Sequence, residues 1–181
     1  SGEVQVASQL QVLPRDLNPE DARAVLAGCA PLHPSVALVL GRLFRSRLAQ
    51  NERSLFAFLS SSEPFGLQDF LREQLWSRNG DHPFYRLDGL YDYVVSALGS
   101  ALYIQSSGKR WAEIDDALQR MPKEATALEA RLIKATGMLG LLGDQRYLRA
   151  SAAILHWALG DEAVRPSDID AALDRLVAWN I

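Results

Sequence analysis

Apolar residues recur at helical spacing along most of this chain. They follow the three-to-four-residue spacing of one helix face, as at positions 36, 39, 40, 43, 44 and 48, or 87, 90, 91, 94, 95, 98 and 102. Residues 4–13 differ, because Val4, Val6, Leu10 and Val12 alternate with other residues up to Pro14, which predicts a strand or extended segment. The pattern therefore predicts an all-α fold after an extended lead-in of residues 1–13.

Capping residues and glycines divide these stripes into separate helices. Asn18 precedes Pro19, which places a capping side chain directly before a proline at the first helical position. Gly143 and Gly160 stand where C-terminal helix caps belong. The predicted helices span about residues 19–28, 35–50, 52–59, 67–76, 86–105, 109–121, 124–142, 147–159 and 167–179, and the helix at 86–105 is the longest.

The helices are expected to form two packed subdomains. Residues 14–121 would form a lid-like helical bundle, and residues 122–181 would form a three-helix unit that begins at Pro122. Three helices followed by one β-prone residue, Ile181, is the order of a winged helix-turn-helix truncated before its wing. We therefore expect the chain to be a piece of a longer protein.

Composition is typical of a soluble globular protein, with 48% hydrophobic and 23% charged residues. The net charge of −3 creates no overall field that would attract nucleic acid or an anionic membrane. No apolar run reaches the ~18 residues of a membrane span, and no secretory leader is recognisable. The single cysteine, Cys29, suits a reducing compartment. These features predict a cytoplasmic protein without membrane contact.

The chain lacks the common sequence signatures of catalysis. It contains neither a glycine-rich phosphate loop that ends in Lys-Ser or Lys-Thr nor a dinucleotide-binding glycine pattern. The histidines His33, His82 and His156 are far apart in the sequence, and Cys29 has no second cysteine nearby, so the usual zinc spacing is absent. We therefore expect no catalysis, no metal and no cofactor in this chain by itself.

One pair of residues suggests a ribonuclease. Arg149 and His156 lie on the predicted helix 147–159 at a spacing that loosely matches the Arg and His of HEPN-type helical ribonucleases. The pair is about two helical turns apart, a separation that also arises by chance. The alternative is that His156 is a partly buried residue of an ordinary helix.

Basic residues offer two candidate anion-binding surfaces. Lys109 and Arg110 would contact phosphates beside the ring of Trp111, or Trp111 would be a core residue whose neighbouring cations cap a helix end or face solvent. Arg42 and Arg45 share a helix face, and would pair with a phosphate or an acidic partner, or remain solvated.

The turn Pro31-Leu32-His33-Pro34 is the most unusual local segment. It places His33 at the N-terminal approach of an amphipathic helix, where backbone donors are oriented towards an anion or a base. If the turn serves a nucleotide site, His33 should be partly exposed with its ring unpaired. If it is a rigid elbow between two helices, His33 should be buried and hydrogen-bonded.

Several segments resemble the region that follows the ATPase core in large bacterial ATP-binding proteins related to the STAND and origin-recognition branches of the AAA+ group. They are the turn 31–34 with its helix, residues 50–59 (QNERSLFAFL), 89–93 (GLYDY) and 109–114 (KRWAEI). The resemblance covers roughly residues 13–181. It implies that the chain is a helical lid followed by a winged helix, and that ATP and Mg²⁺ belong to the parent protein. It also implies that Pro34 and His33 approach the base and that Arg53 approaches phosphate.

The leading hypothesis is therefore a regulatory, non-catalytic module that couples nucleotide state to downstream domains of a bacterial ATPase. Its partners would be the missing ATPase core and those domains. One alternative is a nucleic-acid-binding winged helix with residues 167–179 as recognition helix. That helix offers Arg175 but also Asp168, Asp170 and Asp174, which would repel phosphates. The HEPN-type ribonuclease remains the other alternative.

Overall fold

The computed structural model describes residues 2–45, 52–76 and 83–181, with the side chains of all of these except residues 45, 52–54 and 74–76. The described residues form eleven α-helices, which confirms the predicted all-α fold. The β-type pairing found in these ranges is a single parallel bridge between Leu32 and Tyr85. In chain order the helices are α1 (Gly2–Gln9), α2 (Pro19–Gly28), α3 (Pro34–Arg45), α4 (Glu52–Ser60), α5 (Leu67–Trp76), α6 (Leu87–Leu98), α7 (Ala101–Ile104), α8 (Gly108–Gln119), α9 (Ala127–Leu142), α10 (Ala152–Leu159) and α11 (Pro166–Ala178).

Side chains that cap the first turn fix the starts of two of these helices. The Asn18 side chain accepts hydrogen bonds from the backbone N–H groups of Glu20 (3.1 Å) and Asp21 (2.9 Å), so the predicted start of α2 is confirmed. Thr126 and Glu129 form a reciprocal capping box at the start of α9. These bonds satisfy N–H groups that have no partner inside the helix.

The extended lead-in predicted for residues 1–13 is wrong, because Gly2–Gln9 form helix α1. Val4 and Ala7, one helical turn apart, are both buried, and the helix packs against α2, α3 and α10. The sequence pattern did not reveal this helix face, because Val4 and Val6 alternate as in a strand and Ala7 is too small to stand out as a core residue. The turn that follows α1 ends at Gln11, whose φ of 58° lies in the left-handed region.

The long helix predicted for residues 86–105 is divided into α6 and α7. Gly99 between them has φ of 48°, a conformation that interrupts the helix and that glycine adopts without steric cost. Its N–H still donates to the carbonyl of Val95 at 2.9 Å. Leu98 and Leu102 stay at helical spacing, which is why the break was not apparent from the apolar stripe.

Two expectations near the C-terminal side also need correction. The helix predicted from Tyr147 begins at Ala152, after an irregular segment over residues 143–151. Ile181 does not continue outward as a strand, because its N–H donates to the carbonyl of Leu176 at 3.0 Å. Asn180 has φ of 62°, so the chain folds back onto α11.

The core is organised around α9. This helix packs against α3, α6, α8, α10 and α11, and its residues Leu132, Ala135, Met138 and Leu139 are fully buried. Ion pairs from Arg131 to Asp88 (2.9 Å) and from Lys134 to Asp92 (2.7 Å) also connect α9 to α6. Helices from both sides of the predicted boundary at residues 121–122 therefore share one hydrophobic core. The division into two subdomains stays a prediction.

Candidate functional site

His33 lies at the centre of a buried polar cluster. Its side chain is 0% exposed, and its Nδ1 lies 2.8 Å from the Ser35 hydroxyl and 3.2 Å from the Ser35 backbone nitrogen. Its Nε2 lies 3.1 Å from the Glu3 carboxylate, and the rings of Phe84 and Trp157 pack against it. Both ring nitrogens are therefore engaged within the protein.

The partners of His33 determine its tautomer. The backbone N–H of Ser35 can only donate, so Nδ1 accepts and carries no proton. The proton of the neutral ring is therefore on Nε2, which donates to Glu3. Nδ1 thus caps the first turn of α3, where the His33 carbonyl also accepts from the N–H of Val36 at 2.9 Å. Although a serine, a histidine and a carboxylate meet here, Ser35 is 0% exposed and no substrate can reach its hydroxyl.

Of the two outcomes defined for His33, the structure therefore shows the buried, hydrogen-bonded ring of the rigid elbow and not the exposed, unpaired ring. Pro34 is buried as the first residue of α3, and the side chain of Arg53 lies outside the described residues. These contacts do not test nucleotide binding by His33, Pro34 and Arg53, which stays a prediction. Such binding would require the turn to open.

The free energy of unfolding is expected to fall as the pH drops below about 6.5, the ordinary histidine pKa. Burial lowers the pKa of His33, the hydrogen bond to Glu3 opposes this shift in part, and the positive charge of Arg86 adds to it. The unfolded chain then takes up a proton that the folded chain does not, so acid favours unfolding, by at most about 1.4 kcal/mol per pH unit. Urea titrations between about pH 7.5 and pH 5.5 measure this slope.

His33→Asn is the control for this pH dependence. Asparagine does not titrate, and its Oδ1 can replace Nδ1 as the capping acceptor. The difference between wild type and variant isolates His33 from His82 and His156. Parallel stability curves over this pH range would show that His33 does not control the slope.

The basic-aromatic segment at residues 109–111 has a structural arrangement. Trp111 is 1% exposed and stacks on Tyr91 with ring centroids 5.9 Å apart. Arg110 donates to the carbonyl of Gly140 at 3.3 Å in the last turn of α9, and Lys109 is exposed. The interpretation of Trp111 as a core residue beside a helix-capping cation is confirmed, and no face of Trp111 is open for stacking.

Helix α11, the candidate recognition helix, has its one arginine already paired. Arg175 bonds through Nε to Glu129 at 2.6 Å, and Glu129 is 0% exposed. Burial by itself would raise the pKa of Glu129, but hydrogen bonds from Thr126, Arg175 and the backbone outweigh it and hold this pKa below its usual value. Arg175 therefore holds a buried carboxylate, and its guanidinium is not directed towards a phosphate.

The proposed ribonuclease pair does not share a helix. Arg149 precedes α10 in the irregular segment 143–151, whereas His156 lies within α10. The His156 ring bonds through Nε2 to Asp170 of α11 at 2.6 Å. The helical spacing on which the HEPN interpretation depended is therefore wrong.

A groove with a volume of about 810 Å³ runs along α9. α9 forms its floor, and α8 and α11 form its walls. Both walls run antiparallel to α9, because Arg110 near the start of α8 meets Gly140 near the end of α9, and Arg175 near the end of α11 meets Glu129 at the start of α9. The floor residues are Leu132, Ile133, Thr136, Gly137, Gly140 and Leu141.

Apolar side chains also line both walls of this groove. Ile114 and Ala117 contribute from α8, and Leu173 and Val177 from α11, where Val177 is 75% exposed. The polar groups lie towards one end, where Arg110 and Glu113 stand one turn apart on α8. Sequence analysis did not identify this groove. The sequence signal for it is the second half of α9, because residues 135–142 carry no charged side chain and such a segment is normally covered by other elements.

Neither a metal site nor a membrane span is found in the part of the chain that the structure describes. Within residues 2–45, 52–76 and 83–181, no three His, Cys, Asp or Glu side chains come together as a metal site would require. In the same ranges, no helix combines the length and the apolar character needed to cross a bilayer.

The chain was compared with known proteins at the levels of family, sequence and structure. No family model, no curated protein and no solved structure matches it.

Proposed function

We propose that this chain is a non-catalytic interaction module of a multidomain bacterial ATPase, and that it binds an amphipathic helix in the groove between α8 and α11. The ATPase context is supported by the resemblance of residues 31–34, 50–59, 89–93 and 109–114 to the lid region of such proteins. Binding is supported by one observation, the apolar groove of about 810 Å³ along α9. In this proposal the bound helix belongs to a downstream domain, and the module passes on the nucleotide state of the ATPase core.

The shape of the groove favours a helix as its occupant. The floor from Leu132 to Leu141 is a straight strip about 14 Å long, which matches about three turns of a guest helix. Gly140 removes a side chain from this strip, and a Cβ there would meet nothing within 4 Å, so the guest backbone can approach α9 closely at this point. Gly137 is instead covered by the side chain of Ile114 from α8. A guest between α8 and α11 would complete a bundle and cover the exposed Val177.

The charges on the α8 wall specify the polar residues of the guest. Arg110 is an exposed cation, and Glu113 is an exposed anion one turn further along α8. Neither forms an ion pair with another described side chain. A guest helix with an acidic residue opposite Arg110 and a basic residue opposite Glu113, one turn apart, is complementary to this wall.

Gly140→Leu is expected to block the groove without unfolding the protein. A Cβ at Gly140 meets nothing within 4 Å, so the leucine side chain would occupy groove volume. Leucine also favours a helix interior over glycine, by up to about 1 kcal/mol, so stability should not fall. The probe is a labelled amphipathic peptide of about 18 residues, long enough to be helical, with a leucine face and Glu and Lys one turn apart. Fluorescence anisotropy should show at least about tenfold weaker binding to the variant, a loss of about 1.4 kcal/mol.

Gly28→Leu is the matched control. Gly28 lies in α2 and is exposed, and a Cβ at this position also meets nothing within 4 Å, so the same substitution leaves the groove open. A second experiment exchanges the charges on α8. The double variant Arg110→Glu with Glu113→Arg should bind this peptide more weakly and should bind more tightly a peptide in which Glu and Lys are interchanged. Unchanged peptide binding by Gly140→Leu would overturn the proposal. So would a dimer in sedimentation that this variant abolishes, because the occupant would then be a second copy of the chain.

A further inference from the structure

Four arginines from distant parts of the sequence meet at the connection between α9 and α10. Arg15 comes from the segment between α1 and α2, Arg42 from α3, and Arg146 and Arg149 from the connection itself. Arg15 lies over the ring of Tyr147, with Cζ 5.4 Å from the ring centroid. We refer to Arg15, Arg42, Arg146 and Arg149 as the arginine cluster.

Asp144 joins Arg42 of α3 to the connection between α9 and α10. Its Oδ2 accepts from Arg42 at 2.7 Å, and its Oδ1 accepts from the backbone N–H of Arg146 at 2.8 Å. These two hydrogen bonds hold the pKa of Asp144 below its usual range, and the bond from the Arg146 backbone has the larger effect. Arg42 also donates to the carbonyl of Gly143 at 3.2 Å. Both carboxylate oxygens thus accept hydrogen bonds, and the single negative charge of Asp144 is shared between Arg42 and Arg146.

The arginine cluster carries a local excess of positive charge on a chain whose net charge is −3. All four arginines are exposed; Asp144 is bonded to Arg42, and Asp16 follows Arg15 in the sequence. Among the described residues, the guanidinium groups of Arg146 and Arg149 form no ion pair or hydrogen bond with another side chain. The total charge of the chain therefore conceals a surface suited to an anionic partner.

The side-chain types indicate which anion. Each cation is an arginine, and the planar guanidinium matches the oxygens of a phosphate in a bidentate arrangement. The half-buried Tyr147 adds an aromatic ring beneath Arg15, so a cation and an aromatic ring, the two groups that an unpaired base stacks on, lie together in the cluster. An acidic peptide would use the charges but not the aromatic ring. We infer that the arginine cluster binds the phosphates and a base of single-stranded nucleic acid.

This site differs from the nucleic-acid site expected on residues 167–179. Arg175 of α11 is held by Glu129, whereas Arg146 and Arg149 are exposed at the opposite end of α9. The inference is also independent of the groove, because none of the four arginines lines it. Gly140→Leu should therefore leave oligonucleotide binding unchanged, and loss of peptide binding and loss of oligonucleotide binding can be distinguished.

The test is a salt titration with a fluorescent oligothymidylate of about 20 nucleotides. The expected Kd at physiological salt is about 10⁻⁴–10⁻⁶ M, and log K should fall with log salt at a slope of about −0.7 for each phosphate contacted. Arg146→Gln with Arg149→Gln removes two contacts and should make the slope shallower by about 1.4. Affinity should fall at least about fivefold at physiological salt. Tyr147→Leu should weaken binding severalfold without changing the slope, because it removes stacking only.

Arg72→Gln with Lys123→Gln is the control, since it removes two exposed cations outside the cluster and changes the net charge equally. It should leave both slope and affinity unchanged, and equal losses in the two double variants would mean that only net charge matters. A polyglutamate peptide supplies the remaining comparison. If it displaces the oligonucleotide at equal charge concentration, or if Tyr147→Leu has no effect, the cluster is a general acidic-partner surface and the inference is overturned.

Discussion

Trp111→Ala is expected to lower the free energy of unfolding by about 3–5 kcal/mol, the range for large aromatic residues truncated in a core. Trp111 is 1% exposed and stacks on Tyr91, so the truncation removes a large apolar surface and leaves a cavity. Its Nε1 has no hydrogen-bond partner among the described residues, so the loss comes from packing and not from a broken polar contact. Urea denaturation followed by circular dichroism measures the change.

Two variants make this result specific to the buried ring. Trp111→Phe keeps an aromatic ring against Tyr91 and removes the unpaired N–H, so it should cost much less than alanine. Trp179 is only half-buried, and Trp179→Ala should also cost less than Trp111→Ala. A loss below about 1 kcal/mol for Trp111→Ala would show that this ring is not part of the core.

His33→Ala is expected to lower the free energy of unfolding by about 1–3 kcal/mol, the cost of leaving buried polar groups without partners. Ser35 is 0% exposed, and its backbone N–H and hydroxyl would both lose Nδ1 as their acceptor. Glu3 would also lose its contact with the ring, although its side chain is 29% exposed and water can replace part of that bond. Thermal and urea unfolding of the purified chain measure the loss.

His33→Asn should recover most of that stability because its Oδ1 can accept the same capping hydrogen bond. The comparison separates the structural role of His33 from a nucleotide-binding role. If alanine leaves the chain fully stable while the longer parent protein loses nucleotide affinity, His33 serves the nucleotide site and not the elbow. A destabilised chain with unchanged nucleotide affinity in the parent would contradict the assignment of His33 to that site.

Local sequence signals predicted most helices because each signal acts within one or two turns. Asn18 before Pro19 fixes the start of α2, and the apolar stripe with its glycine and proline breaks fixes α5 at residues 67–76. The errors arose where a helix depends on partners elsewhere in the chain. α1 is held by the Glu3 side chain on His33 and by the Glu3 carbonyl, which accepts from the Trp157 indole at 3.1 Å.

The same distinction applies to the candidate sites. The burial of Trp111 followed from its place on an apolar stripe, and both outcomes for His33 were defined from its position before α3. The groove and the arginine cluster were not predictable in this way. The groove needs three helices in register, and the cluster joins Arg15 to Tyr147 across more than a hundred residues of sequence. No local pattern contains that proximity, so only the folded chain shows it.

The central position of α9 has a consequence for how the chain folds during its synthesis. Residues 127–142 leave the ribosome after α1–α8, yet they form the common wall against which α3, α6 and α8 pack. Until α9 emerges, the faces of α3, α6 and α8 that pack against it remain open to other apolar surfaces. Domains generally fold as units while the chain is being synthesised, and apolar faces that stay exposed in the incomplete chain favour aggregation. A nascent chain that ends before residue 127 is therefore expected to aggregate more readily than one that already includes α9.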